Sequence, residues 1–162
     1  MLRQTFIVLL CLLAACGGEQ TAKLNLGDAA PAFHTERIDG GKVDFPAAAG
    51  KPLVIRFWAD WCRYCEPEMK AIDAVYRRHR GKGLEVFAVN AGQDRATVEA
   101  FIRKLGVTYP VLLDEQSAIA KRYGVVGLPT TYFVDANGVV RGKVIGEADE
   151  AVFERHVLAL LK

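Results

Sequence analysis

Phe57-Trp58-Ala59-Asp60-Trp61-Cys62-Arg63-Tyr64-Cys65 decides how this chain is read. An apolar run from Leu53 to Trp58 leads straight into two cysteines with two residues between them. Beyond them Met69, Ile72, Val75, Tyr76 and His79 recur at the spacing of one helix face. The cysteines therefore lie where a buried strand hands over to a helix, expected from Cys62 to Arg80. Cys62 is expected at the helix N-terminus, with Cys65 one turn in on the same face. That spacing brings two Cα atoms about 5–6 Å apart, within reach of a disulfide. A helix N-terminus carries partial positive charge and unpaired N–H groups, which favour a thiolate over a thiol. Thiolates attack disulfides and thiols do not, so the stretch points to redox chemistry.

Toward the N-terminus, Met1 to Cys16 reads as a targeting segment. One basic residue, Arg3, precedes an uncharged apolar run from Phe6 to Cys16. The run is well short of the ~20 residues that a transmembrane helix needs. Its end, Leu13-Ala14-Ala15-Cys16, resembles the lipobox of bacterial lipoproteins. That resemblance implies cleavage before Cys16 and a lipid anchor on it. The alternative is an ordinary secretory signal cut at a small-residue site. Both readings export the chain to the cell envelope, facing the periplasm. The expected organisation is a signal peptide over 1–15, a lipidated and flexible tether over 16–30, and a folded domain over 31–162. Gly17 to Pro31 supports the tether, being small, polar and aperiodic.

Of the four cysteines, Cys11 leaves with the signal and Cys16 becomes the anchor or a free thiol. Cys62 and Cys65 remain for the folded body. A structural bridge gains most by closing a long loop, and this pair closes almost none. With 21 basic and 19 acidic residues and no basic stripe, nucleic acid is not an expected partner. The length suits one domain with a full core.

Within that domain, short strands alternate with helices. Phe33 to Ile38 and Lys42 to Phe45, around Asp39-Gly40-Gly41, form an expected hairpin. Leu53 to Trp58 is the central strand and Leu84 to Val89 a second buried one, joined by a right-handed crossover. Asp94 caps a helix bearing Val98, Phe101, Ile102 and Leu105, stopped by Gly106. Pro110 to Leu113 is extended, and Ser117 to Tyr123 is a short helix. Thr131 to Val134 and Val139 to Ile145 flank the turn Asp135-Ala136-Asn137-Gly138. A last helix starts near Asp149 and carries Val152, Phe153, Val157, Leu160 and Leu161. The fold class is α/β, a mixed central sheet flanked by helices with an N-terminal β-hairpin extension.

Trp58-Ala59-Asp60-Trp61-Cys62-Arg63-Tyr64-Cys65 resembles the redox motif of the thioredoxin superfamily. Gly124-Val125-Val126-Gly127-Leu128-Pro129-Thr130-Thr131 resembles its cis-proline segment. Phe133-Val134-Asp135-Ala136-Asn137-Gly138 and Glu68, three residues after Cys65, resemble the exported TlpA/ResA/DsbE-like branch. The resemblance runs from about residue 30 to the C-terminus. It implies a three-layer thioredoxin-like fold and a thiol–disulfide oxidoreductase acting on exported proteins. In several members of the branch the substrate is apocytochrome c, reduced before haem attachment in cytochrome c maturation. Cys62 would attack and Cys65 resolve. A cis Leu128–Pro129 bond would bring backbone beside the cysteines, where Leu128 can pair strand-like with substrate. Trp61 would serve as a contact platform. Glu68 can exchange a proton with Cys65, or be a solvated surface glutamate. An oxidising compartment and a single cysteine pair imply a membrane electron donor, DsbD- or CcdA-like in the family.

The chain departs from the family pattern at three places. Arg56 stands in the central strand, Arg63 and Tyr64 occupy the positions between the cysteines, and Lys70 replaces a common proline. A guanidinium at Arg56 or Arg63 would favour the thiolate and make the disulfide more oxidising, so a disulfide-forming thiol oxidase remains an alternative. A buried Arg56 needs a partner, and Glu68 on the overlying helix face is the expected one. A non-enzymatic thioredoxin-like binding module is the other alternative. Neither cofactor nor metal is expected, since His34, His79 and His156 show no ligand spacing to the pair. A peroxidase would carry threonine where Ala59 stands.

Overall fold

The computed structural model describes residues 23–46 and 50–162. The expected signal peptide, the expected Cys16 anchor and the first part of the expected tether lie outside the described residues. Strands β1 (Phe33–Glu36) and β2 (Lys42–Phe45) form a hairpin sheet of their own. Then follow β3 (Leu53–Trp58), α1 (Cys65–His79), β4 (Glu85–Ala91), α2 (Arg95–Leu105) and β5 (Val111–Asp114). The chain ends with α3 (Ala118–Arg122), β6 (Thr130–Val134), β7 (Val140–Ile145) and α4 (Glu150–Leu160). The second sheet runs β5-β4-β3-β6-β7. Its β3–β4 and β4–β5 pairs are parallel, whereas β3–β6 and β6–β7 are antiparallel. This is the mixed, helix-flanked sheet expected from the sequence, with the hairpin as its N-terminal extension.

Strand β3 is central because both of its faces are covered. All six of its residues are buried, and successive side chains alternate between two cores. Val54 and Trp58 join Met69, Ile72, Val75, Val98, Ile102, Phe153 and Val157, beneath α1, α2 and α4. Leu53, Ile55 and Phe57 join Phe33, Phe45, Ile119, Tyr123 and Tyr132, beneath the hairpin and α3. Each large apolar side chain so buried contributes roughly 1.5–3 kcal/mol of transfer free energy. Arg56 points to the first face, among α1 and α4, with no exposure at all.

The helix ends follow their expected chemistry where a cap residue was legible. Asp94 accepts from Thr97 N at 2.9 Å, and Gly106 closes α2 with φ 74°. Asp149 accepts from Val152 N at 2.8 Å and opens α4. Helix α1 differs from expectation. It begins at Cys65, has Tyr64 at the N-cap without a capping side-chain bond, and leaves Cys62 outside the helix.

The tether also differs. Residues 23–30 were expected to be flexible, yet Leu24 and Ala30 are buried in the hairpin-side core. Gly27 N donates to Val140 O and Ala30 N to Gly138 O, both at 2.8 Å, while Val140 N donates to Asp28 O. The segment thus pairs along the start of β7, and the folded domain begins near Leu24 rather than at residue 31. At the opposite sheet edge, Ile38 N donates to Val111 O at 3.0 Å and Thr35 Oγ1 donates to Leu113 O. The hairpin therefore lies against β5.

Candidate active site

The end of β3 delivers the two cysteines. Ala59 to Tyr64 form a compact turn in which Cys62 N donates to Ala59 O and Cys65 N to Cys62 O, at 3.2 and 3.0 Å. Cys62 and Cys65 are joined by a disulfide with Cα atoms 5.3 Å apart. Their burial is unequal: Cys62 keeps 7 % exposure and Cys65 none. Cys65, not Cys62, is the first residue of α1, so Cys62 lies ahead of the helix end, where its positive field points.

A polar clamp holds this turn from the side. Gln93 Oε1 accepts from Asp60 N and from Asn90 Nδ2, at 2.9 and 2.8 Å. Gln93 Nε2 in turn donates to Asp60 Oδ1 at 2.5 Å. Sequence reasoning missed Asn90 and Gln93, because the bond from Gln93 to Asp60 spans 33 residues and leaves no local pattern.

The Leu128–Pro129 peptide is cis, as is Phe45–Pro46, which the sequence had not singled out. Thr130 pairs with Phe57 across β6 and β3. The register therefore brings Pro129 level with Trp58, just before the redox turn. Leu128 packs against both cores, the cysteine-bearing one included. Pro129 is buried, and its carbonyl accepts from Gly146 N at 2.8 Å. Around the pair Trp61 stands 69 % exposed, with Tyr64 and Val126 also open to solvent. The Arg63 guanidinium lies 5.8 Å from the Tyr64 ring centroid, a cation–π distance. Tyr64 and Val126 went unassigned at the sequence level, although exposed apolar residues inside two recognisable motifs are a usable signal.

Beneath the cysteines, the expected pairing of Arg56 with Glu68 is present. Arg56 Nη2 donates to Glu68 Oε2, and Nη1 donates to Thr131 Oγ1 at 2.9 Å. The other Glu68 oxygen, Oε1, accepts from Ala148 N in the loop before α4. The guanidinium also faces the Phe153 ring, 5.7 Å from its centroid. Burial pushes Arg56 down from its ordinary value. Glu68 is thus neither solvated nor free, since each of its oxygens already accepts a hydrogen bond.

A redox disulfide in the turn after a central strand, faced by a cis-proline loop, defines a thioredoxin-fold thiol–disulfide oxidoreductase. The AhpC/TSA family profile matches residues 26–143, and the chain belongs to that family. It is 33% identical over 159 residues to the thiol-disulfide oxidoreductase ResA of Geobacillus thermodenitrificans, covering 93% of this chain and 91% of the relative. The ResA of Bacillus subtilis is 29% identical over 157 residues, covering 93% and 87%. A Chlorobium tepidum crystal structure assigned as thiol:disulfide interchange protein DsbE superposes with TM-score 0.82 at 28% identity. That match covers 86% of this chain and 100% of the other. These relatives and the Cys62–Cys65 pair make the chain a ResA/DsbE-like thiol–disulfide oxidoreductase, an enzyme of dithiol–disulfide exchange. Among the described residues no helix is long and apolar enough to cross a membrane.

Proposed function

We propose that this enzyme reduces disulfides of exported proteins at the envelope, with Cys62 as attacking thiol and Cys65 as resolving thiol. The observation that carries the assignment of roles is the unequal burial of the two cysteines, Cys62 at the edge of the core and Cys65 fully inside it. The Cys62 thiolate attacks a substrate disulfide, forms a mixed disulfide and releases one substrate thiolate. The Cys65 thiolate then attacks Cys62 Sγ, restoring the Cys62–Cys65 disulfide and releasing the second substrate thiolate. Two electrons pass from the enzyme to the substrate, so the enzyme must be reduced again by a membrane donor of the DsbD/CcdA kind. Trp61 and Leu128 would line the approach, with the Leu128 backbone pairing with an extended substrate segment, since Pro129 has no N–H and its carbonyl is taken by Gly146 N. Apocytochrome c, which carries a two-residue-spaced cysteine pair, is the substrate class. The apolar run ending Leu13-Ala14-Ala15-Cys16 supports export, with Cys16 as lipid anchor.

The test is trapping. Cys65→Ala, reduced and mixed with an oxidised apocytochrome c peptide, should accumulate a mixed disulfide that dithiothreitol releases. Cys62→Ala should accumulate far less. Equal trapping by both variants would reverse or void the assignment. Oxidation of a reduced peptide by the wild-type disulfide, with no reduction in the other direction, would make the enzyme a disulfide-forming oxidase instead.

A further inference from the structure

We infer that Arg56 is a positioning residue for the redox pair: it locks Glu68 as a carboxylate and so withdraws it from the proton traffic of Cys65. This rests on the reading of Cys65 as the resolving thiol. Glu68 sits one turn after Cys65 on α1, on the face where a free carboxyl group could accept a proton from that thiol. It is not free. Oε2 accepts from the Arg56 guanidinium and Oε1 from Ala148 N, and the residue keeps only 4 % exposure. A proton arriving on either oxygen would break one of these bonds and leave a buried donor unpaired. It would also strand the Arg56 charge, which pairs with no other acid among the described residues.

The surroundings offer no replacement for either partner. Thr131 on β6 gives Arg56 a neutral hydroxyl, and α4 gives it the Phe153 ring. Tyr109, before β5, donates its hydroxyl to Met69 O, and burial raises its pKa beyond the working range. Asp73, further along α1, is engaged by Thr108 and Arg77. On α4, Glu154 is held by Arg78 and His79, and His156 stacks on Phe133. Arg56 and Glu68 therefore form a charge-compensated unit behind the cysteines, in which Arg56 Nε is left without a partner. The Cys65 proton then passes to the substrate thiolate freed in the first exchange, which leaves as a thiol. The Cys65 thiolate forms without a carboxylic acid being made beneath it.

The experiment follows the Cys62–Cys65 reduction potential against glutathione from pH 5 to pH 9, together with alkylation of Cys65 in a Cys62→Ser chain. In the wild type only thiols should bend the profile. Arg56→Met should add an inflection between pH 5 and 8, as the unpaired buried carboxyl titrates at a raised pKa. Arg56→Met with Glu68→Gln should abolish that inflection, and Arg56→Lys should return the profile to the wild-type form. Should Arg56→Met not fold, Glu68→Gln carries the test. The uncompensated guanidinium should favour the Cys65 thiolate and speed its alkylation at pH 6 about tenfold, one pKa unit. An Arg56→Met profile that superposes on wild type, or a Glu68→Gln chain with unchanged alkylation, overturns the inference. Trapping by Cys65→Ala is scored separately, so failure of the assigned thiol roles is distinguishable from failure of the Arg56 lock.

Discussion

Two sets of charges fasten α1 to the C-terminal part of the molecule, one inside and one outside. Inside, Arg56 on β3 and Ala148 N before α4 meet on Glu68 of α1. Outside, Arg78 at the end of α1 donates to Glu150 at 2.7 Å and to Glu154 at 3.1 Å, and His79 shares Glu154 at 2.9 Å. The chemistry is nearly the same and the surroundings are opposite. Water can replace a lost partner of Arg78, Glu150 or Glu154, so in the outer set only the buried His79 ring depends on its bond. It cannot do so in the inner set, where the missing partner leaves an uncompensated charge. The inner set therefore fixes where α1 lies over the sheet, and the outer set only follows.

The largest effect should come from breaking the inner set. Arg56→Met or Glu68→Gln alone should lower the unfolding free energy by about 3–5 kcal/mol, because each strands a buried charge. The double variant should recover much of that loss. Urea titrations of the four proteins give the coupling energy, and additivity would dissolve the contrast between the two sets. Next in size is Arg78→Ala, whose shift in the urea midpoint should be smaller than that of either inner single variant. It should also disappear at 1 M salt, where screening acts over roughly 3 Å. A salt-independent loss would show the outer set to be buried in effect. The smallest effect is one of pH. Hydrogen bonds from His79 and then Arg78 hold the Glu154 carboxyl below its usual range. Its contribution should be present above an unfolded value of about 4.3 and fade as pH falls through the lower folded value. Glu154→Gln should flatten that acid limb, and an unchanged limb would remove Glu154 from the account.

The same contrast between local and distant partners governs how far the sequence could be read. Leu53 to Trp58 and the cysteine pair were legible because burial on both faces and a two-residue spacing are written in adjacent letters. Asp94, Gly106 and Asp149 were legible because a cap acts within one turn of itself. The start of α1 was not. Its periodic face begins at Met69 and says nothing about Ala59 to Tyr64, whose turn is closed by backbone bonds and held by Gln93 from a distant loop. The misread tether has the same origin. Residues 23–30 are held largely by main-chain bonds to β7, and composition carries no record of such bonds. Arg56 was the exception: its charge in a buried strand demanded an acid, and helix geometry singled out Glu68.

That misread segment has a further consequence, for solubility. An open sheet offers two rows of unpaired N–H and C=O groups, onto which any extended chain can add. Here the hairpin occupies the β5 edge, and residues 27–30 occupy the first part of the β7 edge. The uncovered remainder of β7 carries Arg141 and Lys143, charges that discourage a flat neighbour. On the proposed function, the substrates would present extended strands to the enzyme. With its edges blunted, it can meet them at the redox turn without becoming a template for their aggregation.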